Sequence, residues 1–490
     1  MTKVVAARRF DPRIRRGLVA FVAVVAVSGI LLGLATGAIQ AVGRAGLYAT
    51  GIYVDGGDST IDPSFFDHPA TSTPPVSPPG SLRPVLADLP PGTAPVGAQI
   101  KKQIAALPTD GIGTPSWVVD LPSGKQIVSA GGTTSVLPAS TLKLLTAAAA
   151  LTMLGPDHRF TTDVVAGAAS AHPSIVLVGG GDPYLVTKKP GPAAYPARAS
   201  LADLADETAA VLKKAKHTKV ALGWDDSLFT GPAWNPTWPA TYSDQTTATS
   251  ALWVSEGRLG GSPGQRTKNP AKDAAAAFAN ELRLRGIDTT VTSSVTAPAG
   301  AQQLGSVSST PLASIVEQLL LHSDNDAAEV VFRQLAVAAN MSGSIENART
   351  AARAALTRLG LWGAGQVMRD GSGLSRQDRV TPAVLVKVLE LAMSSSHPAL
   401  RSMLCGLPVA GVDGSLTYRY FAPGTSPARG DVRAKTGTLT GVHALSGYAV
   451  TRSGELVLFA FVVNDADNDY NARNWLDRAT ATIAGCGCGP

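Results

Sequence analysis

Three short polar motifs, fixed in order and far apart along the chain, constrain this sequence more than any other feature. They are Ser140-Thr141-Leu142-Lys143, Ser323-Asp324-Asn325 and Lys435-Thr436-Gly437-Thr438. A Ser three residues before a Lys arises easily by chance, and each motif alone is a weak signal. Together they ask for a fold that gathers three distant segments around one hydroxyl. On that expectation Ser140 is a candidate nucleophile and the chain a candidate acyl-transfer enzyme.

The chemistry needs these residue types at these spacings. A serine hydroxyl is a poor nucleophile until a neighbouring base removes its proton. Lys143 lies one helical turn after Ser140 on the same face and can reach it. Such a lysine must be pushed toward the neutral amine, and burial with Lys435 as a second cation nearby would both act that way. Ser323 is placed to relay a proton to a leaving amine, and Asn325 to hold a substrate amide by both ends. Asp324 is expected to be structural. Lys435, Thr436 and Thr438 suit a substrate carboxylate, and Gly437 allows close backbone approach. The N–H of Thr438 is expected to pair with that of Ser140 as an oxyanion hole. Each motif also has a plain alternative: Ser140 as a helix N-cap, Lys143 as an exposed helix lysine, Ser323-Asp324-Asn325 as caps, Lys435 as an edge-strand solubility residue.

Around these motifs the chain divides by pattern. The formal charge of +6 is confined to residues 1–44, which carry Lys3, Arg8, Arg9, Arg13, Arg15, Arg16 and Arg44 against Asp11. The remainder is formally neutral, so the basic balance is a membrane-topology signal and no nucleic-acid partner is expected. Residues 17–43 contain no charged side chain, enough to cross a bilayer as a helix. Two readings stand for this segment: an uncleaved anchor, or a signal peptide cut near Thr36-Gly37-Ala38. The apolar length favours the anchor, and both place the bulk of the chain outside the cytoplasm. A proline-rich stretch with Pro74-Pro75, Pro78-Pro79 and Pro90-Pro91 follows as a semi-rigid spacer.

Beyond it the pattern becomes globular. Trp117–Asp120 reads as a strand and Thr141–Leu154 as a helix stopped by Gly155-Pro156. Ile175–Val178 runs into the turn Gly179-Gly180-Gly181-Asp182-Pro183, which lacks the spacing of a phosphate loop. Helices are expected over Leu201–Leu212 with Ser200 as cap and over 270–286, 311–322 and 326–339, with another opening at Thr381-Pro382. Asp431–Leu439, His443–Thr451 and Glu455–Asn464 read as antiparallel strands before a C-terminal helix near 470–484. Of the three cysteines, Cys405, Cys486 and Cys488, one disulfide is expected, joining Cys405 to a C-terminal partner.

The motifs, with Leu137-Pro138-Ala139 before the serine, Gly179–Pro183, and Asp370-Gly371-Ser372-Gly373-Leu374-Ser375, resemble the low-molecular-mass class C penicillin-binding proteins, the D-alanyl-D-alanine carboxypeptidase/endopeptidase group. About 180 residues separate Ser140 from Ser323, where that group carries an extra module. The resemblance implies an α/β (α+β) transpeptidase-like, β-lactamase-like domain with an antiparallel sheet and a helical lobe. The expected layout is a basic cytoplasmic N-terminus (1–16), a transmembrane signal anchor (17–40) and a Pro-rich linker (41–98). A DD-peptidase domain (99–160 and 301–490) follows, with inserted α/β structure between (161–300). It implies acylation of Ser140 by peptidoglycan stem peptides and by β-lactams, with Lys143, Ser323, Asn325 and Lys435 catalytic and Thr436, Gly437 and Thr438 at the substrate and oxyanion positions. No metal or cofactor is called for. A β-lactamase and a non-catalytic wall-binding scaffold of the same fold are the alternatives.

Overall fold

The structure, a computed structural model, describes residues 97–168, 173–260 and 265–487. The expected cytoplasmic segment, anchor and nearly all of the linker lie outside the described residues. Among those described, no helix is long and apolar enough to cross a membrane.

The first of two sheets joins the two ends of the described chain. Strands β1 (Thr114–Asp120) and β2 (Gln126–Ala130) come early, and β8 (Val432–Leu439), β9 (Val442–Val450) and β10 (Leu456–Asn464) come late. Their order is β2-β1-β10-β9-β8, antiparallel throughout. The apolar run of β10 explains its central place. Side chains alternate across a strand, so Val457, Phe459, Phe461 and Val463 enter one core while Leu458, Ala460 and Val462 enter another. On the first face lie helix α1 (Gly97–Ala105) and the C-terminal helix α10 (Asp469–Ala484), whose Trp475 meets Phe461 edge-on at 5.9 Å.

The second face carries a helical lobe. Its centre is α2 (Lys143–Leu154), in which every residue from Lys143 to Leu151 is buried. A helix apolar on all sides belongs inside a bundle, and α5 (Leu312–Leu321), α6 (Asn325–Ala338), α7 (Ile345–Arg358) and α8 (Pro382–Met393) enclose it. The expected caps are present: the Thr381 side chain accepts from Val384 N–H, and Asp324 from Ala327 N–H. The short helix α9 (Ser402–Cys405) completes this lobe.

The second sheet has the order β6-β5-β4-β3-β7. It is built from β3 (Thr161–Ala166), β4 (Ser174–Gly179), β5 (Lys219–Asp225), β6 (Asp288–Ser294) and β7 (Gln303–Ser308). β4, β5 and β6 are parallel, and parallel neighbours need crossovers. Helices α3 (Leu201–Lys214) and α4 (Pro270–Leu284) supply them and pack on the sheet through Leu204, Leu212, Phe278 and Leu282. Because β7 pairs with β3, this strand set runs past residue 300 to Ser308. Ser200 caps α3 as expected, but Val211 turns outward and is 37% exposed.

The expected cysteine pairing is corrected. Cys405 is a free, exposed thiol on the helical-lobe side, whereas Cys486 is disulfide-bonded and buried in the core of the opposite sheet face. A disulfide needs Cα atoms within roughly 7 Å, and the sheet stands between these two.

Candidate active site

Ser140 sits in a 3-10 turn, Ala139–Leu142, that runs directly into α2. Its side chain caps nothing there, so the N-cap alternative is set aside. Ala139 holds a left-handed φ of 47°, and two glycines make room for this tight turn. A Cβ at Gly373 would collide with the Ala139 carbonyl, and one at Gly437 would lie 2.8 Å from the Pro138 carbonyl oxygen. Gly437 was expected to admit a ligand. The backbone it admits is that of the serine turn itself.

Lys143 is fully buried, and its Nζ has three partners: Ser140 Oγ at 2.9 Å, Asn325 Oδ1 at 2.7 Å and the Ser372 carbonyl at 2.7 Å. Two of these can only accept, while a hydroxyl can also donate. A neutral amine has two N–H donors and one lone pair, so this set suits it with the lone pair facing Ser140. Burial brings the Lys143 pKa down to about 8, against the pull of Asp370, Asp324, Glu329 and Asp326 toward the charged form. Lys435 was expected to help depress Lys143. Lys435 is instead itself pushed down, by its own burial and then by the charge on Lys143.

The second motif spans the junction of α5 and α6. Ser323 takes a left-handed φ of 57°, and its Oγ accepts from Lys435 Nζ at 2.8 Å. Lys435 also donates to the Thr436 carbonyl at 2.8 Å. Asp324 caps α6, the structural role expected of it. Asn325 is already engaged at both ends, through Oδ1 with Lys143 and through Nδ2 donating to the Gln245 carbonyl at 3.0 Å. One N–H and one lone pair of its amide remain for a ligand, which narrows the two-ended grip expected from sequence.

The third motif lies on β8, the outermost strand of the first sheet. Val432 and Ala434 turn their free backbone groups to Ala410 and Pro408. By the same alternation Thr436 and Thr438 present theirs along the outer edge. The Thr436 hydroxyl lies 2.8 Å from Ser415 Oγ, whereas the Thr438 side chain is exposed.

Sequence reasoning missed the support behind Lys143. Glu329 accepts from the N–H groups of Gly371 and Ser372, fixing the carbonyl that Lys143 meets. Asp370 accepts from Gly373 N–H, Ser375 N–H and Trp238 Nε1. Burial and then Asp370 push the Glu329 carboxyl up to about 8. The stretch Asp370–Ser375 carried a signal, but nothing in its spacing showed that it wraps the lysine. Glu256, Asp324 and Asp326 form a group with metal-ligand geometry among the described residues. Arg258 and Arg266 already pair with it, so the donor set is that of an ion-pair cluster.

A five-stranded antiparallel sheet, a helical lobe and three converged motifs at their junction define the class: a penicillin-binding, β-lactamase-like fold arranged as a serine peptidase. Comparison with known proteins agrees. The D-Ala-D-Ala carboxypeptidase 3 (S13) family matches residues 97–262 and 260–483. A carboxypeptidase of Mycobacterium tuberculosis is 36% identical over 76% of this chain and 80% of its own. Carboxypeptidase DacB of Mycolicibacterium smegmatis is 34% identical over 86% and 91%. The crystal structure of penicillin binding protein 4 from Haemophilus influenzae shares the fold at a TM-score of 0.64 and 22% identity, covering 78% of this chain and 98% of that one. The chain belongs to the S13 family: it is a low-molecular-mass class C penicillin-binding protein and a serine-type D-alanyl-D-alanine carboxypeptidase.

Proposed function

We propose that Ser140 is the nucleophile and Lys143 its general base in hydrolysis of the terminal D-alanyl-D-alanine bond of peptidoglycan stem peptides. The partner set of Lys143 Nζ carries this reading: a buried amine with two acceptor contacts and one remaining contact, to the serine hydroxyl. Ser140 Oγ attacks the penultimate D-alanine carbonyl carbon while its proton passes to Lys143 Nζ. The N–H groups of Ser140 and Thr438 stabilise the oxyanion, where one such donor is typically worth ~2.7–4 kcal/mol. Ser323, hydrogen-bonded to Lys435, hands its proton to the departing amine and takes one in turn from the Lys143 ammonium, which returns Lys143 to its neutral form, and D-alanine or a cross-linked amine leaves. Water then attacks the acyl-enzyme, giving up a proton to Lys143, and Ser140 regains its hydrogen. Lys435 and Thr436 receive the substrate carboxylate, and Asn325 receives the acyl amide. A β-lactam ring opened by Ser140 would leave the serine as a stable ester.

The same proposal sets the peptidase domain, 99–160 and 301–490, outside the cytoplasm. The basic residues 1–16 lie inside, 17–40 span the membrane, and 41–98 act as spacer. The uncharged run 17–43 behind six cations supports that topology. Residues 161–300 form the bulk of an inserted module, supported by the second sheet with its own core.

The test compares wild type with Ser140→Ala for D-alanine release from a stem-peptide mimic and for cleavage of cross-linked muropeptides. Peptide mapping of a β-lactam adduct accompanies it. An adduct on any other side chain ends the proposal, and rapid release of hydrolysed penicillin would make the chain a β-lactamase.

A further inference from the structure

The inserted segment reaches back to the second motif through a buried charge cluster. Asp326 Oδ1 accepts from Thr247 N–H at 2.7 Å and from the Thr246 hydroxyl at 3.2 Å. Its Oδ2 lies 2.9 Å from Arg266 Nη1 and 3.6 Å from Arg258 Nη2. Arg258 also pairs with Glu256, whose carboxyl is hydrogen-bonded to Asp324. Asp326 is 1% exposed and Arg266 7%. A buried charge persists only when it is paired. Asp324 and Asp326 flank Asn325, the residue that touches Lys143, and neither carboxylate has a cation from its own helix against it in this cluster.

We infer that Arg258 and Arg266 are positioning residues: by pairing the Asp326 carboxylate next to Asn325, they keep its charge from locking Lys143 as an ammonium ion. The inference rests on Lys143 being the base. Every charged neighbour of Lys143 bears on it. Asp324, Asp326 and Glu329 face it from α6 and its cap, Asp370 from the 369–379 loop, and Lys435 from β8. The four acids favour the ammonium, and α2 adds no other ionisable side chain. Burial and then Asp324 push the Glu256 carboxyl up, while the Glu256 hydrogen bond and Arg258 pull Asp324 down against its burial. Removing Arg266 takes away the guanidinium nearest Asp326 and leaves that carboxylate less compensated beside Asn325 and the base.

The experiment follows the second-order rate of acylation by a fluorescent penicillin across the pH range in wild type, Arg266→Met, Arg266→Lys, Asp326→Asn and the double variant Arg266→Met/Asp326→Asn. Arg266→Met should move the acid limb of the profile upward by roughly half to one pH unit, the scale of a charge's influence on a nearby group. Arg266→Lys should leave the limb in place. Asp326→Asn should move it downward, and the double variant should bring it back toward wild type. A rate lower at every pH with the limb unmoved would reduce Arg266 to a packing role and overturn the inference. If Arg266→Met does not fold, an unmoved limb in Asp326→Asn overturns it equally. Failure of wild type to be acylated at Ser140 would instead strike the assignment of the base.

Discussion

The two sheets of this protein are both five-stranded, yet they bury their faces differently. In the first, β9 and β10 are covered on both sides, and the residues of β10 divide between two cores. In the second, α3 and α4 build one core, while β6 at the edge is largely open to solvent. Buried lysines follow the enclosure. Lys143 and Lys435 are both 0% exposed, and both belong to the doubly covered body. Holding a lysine away from water demands dense, fixed surroundings on every side, and a sheet covered on one face offers less of that. The second sheet serves the site through its connections instead, by way of Gln245, Trp238 and the arginine pair.

The largest effects should therefore come from polar atoms in the enclosed body. Ser140→Ala should remove the β-lactam adduct and lower D-alanine release by about 10⁴-fold or more, the scale of losing a nucleophile. Turnover near the wild-type rate would break the comparison at once. Lys143→Met should slow acylation by about 10²–10⁴-fold, as for loss of a general base, with the melting temperature kept or raised. The wild-type pH profile sharpens the point. In the proposed mechanism the working form of Lys143 is the neutral amine, and burial brings its pKa down to about 8, so acylation should rise with pH below 8 and level off above it. A rate flat from about pH 6 to about pH 9 would assign the proton transfer elsewhere.

Much of this body was legible in the sequence because its signals are local. The apolar run 456–463 could only be an enclosed strand, Thr381-Pro382 could only open a helix, and the lysine one turn after Ser140 had to share its face. What stayed hidden depends on long-range closure. No spacing shows that Glu329 fixes the carbonyl of Ser372, or that Gln245 comes to rest on Asn325 some 80 residues later. The partner of a buried charge is chosen by topology. For the same reason the sequence misjudged Cys405, which lies across the sheet from Cys486. Gly437 was recognised as a point of close approach, but the identity of its neighbour needed the fold.

That neighbour makes Gly437→Ala an intermediate test within the body. The added methyl would sit 2.8 Å from the Pro138 oxygen and 3.3 Å from the Ala139 Cβ. Contacts this short must be relieved, and the turn carrying Ser140 is the part that can shift. A displacement near 1 Å in a reacting group costs about 10²-fold. Acylation should fall by about that factor while thermal stability changes little. An unchanged rate would show that β8 gives way rather than the turn.

The smallest effect belongs to the solvent side of α4, the helix that covers the second sheet. Leu284 ends α4 with 77% of its surface exposed, although Leu282 two residues before it is fully buried in the same core. Apolar burial contributes in proportion to area taken from water, and Leu284 has given up little of its own. Leu284→Ser should therefore change unfolding free energy by no more than about 0.5 kcal/mol, the range of surface substitutions. Leu282→Ala, two residues away and inward-facing, should cost about 2–5 kcal/mol. The pair separates the two sides of α4 under one measurement, chemical denaturation. A loss at Leu284 approaching that at Leu282 would mean that this end of α4 is covered in the working protein, and that the body around the second sheet is enclosed more like the first.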